Sequence, residues 1–467
     1  MIPLEPDLVR EVLDRALARG GEFAELFFEQ RDGTSLVREE GRIVRTSSGR
    51  DRGVGLRVIR GDSTWFANGN ATDTESLLVL ADRLAEGVGG SRQVRVTPFR
   101  EEVLEPLVPV RTWPDTVPVS ELAGRLALAD RVAREHDPRV VQVTAVVRTT
   151  RRVILVANSE GRFVVEPTPY VTFNCQVVAR EGDEIRSGYQ ADSATRGWEF
   201  LEEGVVRRVA SEAARIACLQ LGAAPTPSGT MPVVLSSRAG GTMIHEACGH
   251  GLEADFYLKN VSIYSGKLGK RVASEKVTVI DDGTLPGRRG SNRVDDEGEP
   301  TRRVVLIDRG TLVGLLQSRE TARKLGMEPT GNGRRESFRH LPIPRMRNTF
   351  IAPGEDEPEA IVASVKDGLY VADMGGGEVD IVSGNFVFHC LEAYRIRDGK
   401  IAEPVRDAML TGNGPAVLES IDMVGKDLGW AVGTCGKDGQ GVPVGDAQPT
   451  IRIPSLVVGG TGGGDER

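Results

Sequence analysis

"TMIHEACGHGLEADF", Thr242 to Phe256, holds two of the chain's five histidines, His245 and His250, with Glu246 between them. In the zinc-peptidase pattern H-E-x-x-H the histidines are four apart and share one helical face. Here they are five apart. Each helical residue turns by about 100°, so positions four apart differ by about 40° and positions five apart by about 140°. A regular helix would therefore point the two imidazoles away from each other. A single π-turn, or a helix that ends at Gly249, would bring them back together. Gly249 and Gly251, flanking His250, tolerate such a departure. The spacing thus predicts a local distortion and does not exclude a shared metal.

A histidine pair around a glutamate also arises by chance. Glu253 and Asp255 downstream suit a solvated helix surface as well as a site. On the metal reading, Glu246 is the general base that takes a proton from metal-bound water and passes it to the leaving amine. A catalytic zinc takes three protein ligands and keeps one position for water. The residues alone leave the third ligand open among His340, His389, Glu253, Asp255 and a cysteine.

Around this stretch the texture is β-rich. The runs "PVVLSS", "KVTVIDDG", "RRVVLIDRGTLVGLLQ", "AIVASVKDGLYVADM", "EVDIVSGNFVFHCLEAYRIRDGK" and "TIRIPSLVVGG" read as strands between glycine turns. "GAAPTPSGTMP", Gly222 to Pro232, reads as a linker into this part. Before it, the order helix, strands, helix occurs twice, separated by a proline-spaced connector over 97–118. "FAELFFEQ", "SLVREEGRIVRT" and "GVGLRVIRGDSTWFA" read as short strands with Asp-Gly and Gly-Asp turns. The predicted fold class is α+β. A mixed N-terminal region, 1–225, packs helices on antiparallel strands and has a possible sub-boundary at 97–118. A β-rich C-terminal domain, 226–467, carries one metal-binding helix.

Composition narrows the function. Glycine supplies 56 of 467 residues, about 12% against a usual 7% or so, as expected of many tight turns. A net charge of −8 argues against nucleic acid as the main partner. No run of apolar residues is long enough for a membrane span. Five cysteines without paired spacing suit a reducing compartment, and the N-terminal stretch has no signal-peptide pattern, so the expected location is cytoplasmic.

Several blocks then take on meaning together: "HEACGHGLEADF", "KVTVIDDGTLPGRRGSNRVDDEGEPTRRVVLIDRGTLVG", "PTGNGRRESFRHLPIPRMRNTF", "GGGEVDIVSGNFVF" and "TCGKDGQGVPVGDAQPTIRI". In this order they resemble the TldD branch of the TldD/PmbA metallopeptidase family, over essentially the whole chain and most densely from Gly229 to Gly459. The resemblance implies a zinc peptidase with one Zn2+ per catalytic subunit, held by His245, His250 and Cys435, with Glu246 as acid/base. It implies an unstructured polypeptide substrate in a restricted cleft. It also implies a dimer with a homologous PmbA/TldE-type subunit or with a second copy. Without it, Cys435 would read as an inert turn residue; with it, a thiolate ligand on a glycine-rich turn makes chemical sense. Cys175, Cys218 and Cys390 read as core residues, and Cys248 either packs or competes for metal.

Weaker candidates concern the substrate. His340, Arg345 and Asn348 in "RRESFRHLPIPRMRNT" could polarise a carbonyl or hold a peptide carboxylate, and each could equally serve a salt-bridged loop. Tyr257 and Tyr264 are possible oxyanion donors, though packing explains them as well. Gly375, Gly376, Gly377, Val379 and Asp380 lie on a strand onto which substrate could add as another strand; ordinary hairpin formation is the rival explanation. The competing function is a peptide-binding or assembly module with a structural metal and no turnover. A thiol hydrolase built on Cys435 is a third.

Overall fold

A computed structural model of the chain describes residues 3–92 and 94–460. Residues 1, 2 and 461–467, at the outer ends of the two expected domains, lie outside the described residues. The fold is α+β with a β-rich C-terminal part.

The first sheet has seven strands and draws on both sides of the 97–118 connector. Its order is Ser63–Gly69, Arg42–Arg60, Phe23–Glu39, Val140–Asn158, Arg162–Glu181, Arg100–Val103, with Glu184–Ala194 also paired to Arg162–Glu181. Helices Pro6–Ala16 and Thr74–Val88 cover one part of it through Val9, Leu13, Leu77 and Leu84. Proline in the first turn suits the former, and the Asp73 side chain caps the latter by accepting from the Ser76 amide. Helices Val119–His136 and Glu203–Gln220 cover the other part, around Leu122, Leu126, Phe173 and Val209.

The strands differ from expectation in length. Asp32-Gly33 is not a turn: both residues run straight through the strand Phe23–Glu39, opposite Arg50 and Gly49. Glycine is needed there for another reason, since a Cβ would sit 2.9 Å from the Thr149 carbonyl oxygen on the neighbouring strand. In the C-terminal part, the first residues of "AIVASVKDGLYVADM" form a short helix, Pro358–Ala363, before the strand Asp367–Val379 begins. The proline at its first turn favours that start and overrides the β-branched run.

Five C-terminal strands close on themselves: Asp367–Val379, Gly229–Leu235, Ile451–Gly459, Met409–Asn413 and Asn385–Arg397, which pairs back to Asp367–Val379. A six-stranded sheet lies beside them and ends in the hairpin Gly429–Lys437 and Gln440–Gln448. The histidine segment is wedged into the core between, through Met243, Ile244, Ala247, Cys248 and Leu252.

Buried ion pairs join the two parts. Arg57 bridges Glu25 at 2.7 Å and Glu297 at 2.6 Å, Arg335 reaches Glu25 at 2.6 Å, and Arg152 holds Glu29 and Asp296. Each charge is costly to bury alone and tolerable only with its partners, so removing one of them would strand the others.

Candidate metal centre

Gly240 and Gly241 open the histidine segment in left-handed conformations, φ 77° and 80°. At Gly241 a Cβ would meet the Ala447 backbone nitrogen at 2.5 Å, so a side chain there would push the segment off the hairpin Gly429–Gln448. One turn of α-helix, Thr242–Ile244, gives way to a π-turn over His245–Gly249 and then to a 3-10 turn over His250–Leu252. The His250 amide donates to the His245 carbonyl, five residues back. This is the distortion that the five-residue spacing requires. It brings the two rings to 5.1 Å between centroids, nearly perpendicular. Tyr264 Oη donates to the Ala247 carbonyl at 3.0 Å and so satisfies an acceptor inside the irregular turn.

Cys435 comes from the strand Gly429–Lys437, and its Sγ lies 3.1 Å from His245 Nε2 and 3.3 Å from His250 Nε2. The three donor atoms all fall within 4.8 Å of one another, and all three residues are buried. Each imidazole is oriented from behind: His245 Nδ1 by Asp446 at 2.7 Å, His250 Nδ1 by Glu253 at 3.0 Å. Glu253 is fixed by Lys437 Nζ at 3.0 Å, and Lys437 also holds Asp255 at 2.7 Å. Arg345 Nη2 donates to the Cys435 carbonyl at 2.5 Å. A carboxylate behind each histidine, presenting Nε2 forward, is the arrangement that metal-ligating histidines adopt.

The electrostatics concentrate opposite charges. Burial opposes protonation of His245, but Asp446 and the Cys435 sulfur outweigh it and hold the group well above the usual histidine range. Burial likewise opposes protonation of His250, yet Glu253 and Cys435 raise it to about 9. Cys435 would be raised by burial, but its hydrogen bonds to both histidines bring it down to about 5, so it is a thiolate at neutral pH. A metal binding here would displace the protons of both rings, and the donor set would then be one thiolate and two imidazoles. In a tetrahedral zinc site such nitrogen and sulfur donors stand about 3.5 Å apart, within a few tenths of the separations here. The residues fit the ion.

Glu246 projects into a cavity of about 1480 Å³ that also reaches His245, His250 and Cys435. Burial pushes its carboxyl above the usual glutamate range, with the two histidines pulling the other way. Gly375, Gly376, Gly377 and Val379 line the same cavity. Their strand does form the rival hairpin with Asn385–Arg397, interrupted between Met374 and Gly377, while its other edge pairs with Gly229–Leu235 only at Leu369–Val371. Asp380 is off the cavity wall and turns the chain, accepting from the Val382 and Ser383 amides.

His340, Arg345 and Asn348 do not line the cavity. His340 Nδ1 meets Ser337 Oγ, Asn348 ties Asp282 and Ser291 together, and Arg345 is buried behind Cys435. Tyr264 is buried on the Ala247 carbonyl, and Cys248 packs in the core with its thiol on the Ile244 carbonyl. His389 is exposed on its strand, and Glu253 and Asp255 stand behind the donors rather than among them.

Asp446 escaped the sequence reading. Its signal is hairpin parity: Asp446 lies opposite Ala431, four residues from Cys435 and hence on the same face. That parity is usable only once the register is known.

Family comparisons agree in extent with this geometry. The PmbA/TldA metallopeptidase C-terminal domain matches residues 228–460, the central domain 113–221 and domain 1 residues 24–87. A metalloprotease TldD homolog of Haemophilus influenzae is 39% identical over 98% of this chain and 97% of its own length. The chain belongs to the PmbA/TldD metallopeptidase family. A metalloprotease of Methanothermobacter thermautotrophicus is 38% identical over 92% of this chain and 93% of that one. The names of these relatives support a metallopeptidase. The crystal structure of TldE from Thermococcus kodakarensis shares the fold, with a TM-score of 0.75 at 19% identity over 94% of this chain and 97% of that one. This PmbA/TldD chain has no helix among its described residues long and apolar enough to cross a membrane.

Proposed function

We propose that this chain is the catalytic subunit of a zinc-dependent peptidase that hydrolyses peptide bonds in unstructured polypeptides, with His245, His250 and Cys435 as ligands and Glu246 as base. The observation that carries the reading is the convergence of one sulfur and two Nε2 atoms beside Glu246 at the wall of a large cavity. When bound, zinc would supply Lewis-acid polarisation of the scissile carbonyl and of the attacking water. Glu246 takes the proton of that water and delivers it to the leaving amine. Its raised carboxyl suits both directions of transfer. Asp446 and Glu253 hold the two histidines in place, and Arg345 secures the backbone at Cys435.

Two strand edges favour an extended substrate. Residues 373–379 and 429–438 both line the cavity, and among the described residues each strand has a side without a strand partner there. A disordered segment can add to such an edge through its main chain, which a folded helix cannot do. Weak side-chain selectivity along the added strand follows from that. The setting is cytoplasmic, and the active assembly is a dimer with a homologous TldE-type subunit or with a second copy of this chain.

Three protein donors leave a fourth tetrahedral position, which favours turnover over a purely structural ion. The test is cleavage of a disordered peptide by the purified chain, alone and with any co-purifying partner, before and after chelation. Chelator-sensitive cleavage is expected. Unfolding on chelation with no cleavage at any stage would instead support the structural-metal module, and cleavage lost to alkylation but not to chelation would support the thiol hydrolase.

A further inference from the structure

Five arginines line the cavity: Arg196, Arg208, Arg238, Arg288 and Arg289. Two are neutralised by carboxylates, Arg208 by Asp192 and Arg238 by Glu212 and Glu392. The other three have no carboxylate within ion-pair distance among the described residues, and they come from one wall. Arg288 stacks over Trp430 at 4.2 Å from the ring centroid, and Trp430 is itself braced by Phe350. Stacking uses the face of a guanidinium and leaves its in-plane N–H groups free, the edge that grips a carboxylate with two parallel hydrogen bonds. Those groups of Arg288 find no protein acceptor among the described residues.

The wall is built rather than incidental. Thr195 donates its amide to Gly287 and its hydroxyl to the Arg288 carbonyl, at 3.2 and 2.9 Å, so the segments bearing Arg196 and Arg288 are stitched together. Arg196 lies against Gly287, where a Cβ would come within 2.3 Å of its Nε. Arg289 is held entirely by neutral oxygens, among them the Gly433 carbonyl at 3.0 Å and Thr172 Oγ1 at 2.7 Å. It is a third positive charge, fixed directly on the strand that carries Cys435, at Gly433, two residues before the cysteine.

We infer that Arg196 and Arg288, backed by Arg289, form a carboxylate subsite of the cavity that selects polypeptides with an acidic side chain or a free C-terminus near the scissile bond. This rests on the peptidase reading and specifies its substrate class. The test uses four matched disordered peptides that differ only in Glu or Gln at one scanned position and in a free or amidated C-terminus. Wild-type protein should favour a carboxylate-bearing peptide over the neutral one by about tenfold in kcat/KM, the effect of one charge-assisted pair. The ratio should fall toward one in R196Q/R288Q and recover in part in R196K/R288K. Loss of the preference on amidation assigns the terminus; loss on Glu to Gln assigns the side chain. The same peptides, fluorescently labelled, are then titrated into the Glu246→Gln protein and followed by anisotropy, which needs no turnover. Equal affinity for all four peptides, or a preference that survives in R196Q/R288Q, overturns the subsite. Failure of the wild type to cleave any of them counts against the peptidase reading alone, and the binding titration still decides the subsite.

Discussion

Asp446 Oδ1 lies 2.7 Å from Nδ1 of His245, and both side chains are buried. The carboxylate fixes which ring nitrogen faces Cys435 and makes that nitrogen a better donor. Asp446→Asn keeps the size of the side chain and removes its charge. Zinc affinity, measured by competition with a chromogenic chelator, should fall by about 10- to 100-fold. An unchanged affinity would mean that the ring is held by packing alone.

Glu246 touches the cavity without belonging to the donor set. Glu246→Gln should retain one zinc per chain by elemental analysis while kcat on a disordered peptide drops by about 10²- to 10⁴-fold. Turnover at the wild-type rate would remove Glu246 from the mechanism.

Cys435 supplies the only sulfur of the three donors. Cys435→Ser should lower zinc occupancy in the purified protein, and full retention would move the third ligand elsewhere. Chelation of the wild type should abolish cleavage yet leave the far-UV circular dichroism nearly intact. Two cores on the N-terminal sheet, around Leu126 and Leu13, contain none of the donors and hold their strands together without the ion.

Gly249 closes the π-turn against Met346. A Cβ at this position would lie 2.0 Å from the Met346 sulfur. Gly249→Ala should destabilise the protein by about 1–3 kcal/mol in denaturant titration, because neither the turn nor the core can yield freely. Stability equal to wild type would show that Met346 swings away at little cost.

Glu166 offers a pH test remote from the donors. It is buried, and burial raises its carboxyl to about 7, against two opposing backbone amides from Arg293 and Val294 and the charges of Arg347 and Arg152. A folded-state pKa above the unfolded value near 4.5 gives a contribution that is present in full below that value and lost as pH rises through about 7. Glu166→Gln removes this dependence. The difference in Tm between variant and wild type should shift in the variant's favour from pH 5 to pH 8, and a difference constant across that range would contradict the assignment.

Much of this was legible along the chain. The order helix, strands, helix, read twice before Gly222, matches the helices Pro6–Ala16, Thr74–Val88, Val119–His136 and Glu203–Gln220 and the strands between them. The five-residue histidine spacing beside glycine predicted a local distortion, since at about 100° per residue a regular helix points the two rings apart. Where reading failed, the competing signal was local. Asp32-Gly33 has turn chemistry but lies inside a paired strand, and Pro358 starts a helix that takes up the first residues of a strand-like run.

The sequence by itself determined the α+β class, the family likeness and the distortion between His245 and His250, because each depends on residues near one another in the chain. Only the tertiary structure decided that Cys435, 190 residues beyond His245, presents its sulfur to both rings, that Asp446 and Glu253 stand behind them, and that Arg345 supports the strand instead of reaching the cavity. These meetings depend on strand register and on which strands close together. A slip of one residue between the strands of the hairpin Gly429–Gln448 would put Cys435 and Asp446 on opposite faces, and no short stretch of sequence specifies that alignment.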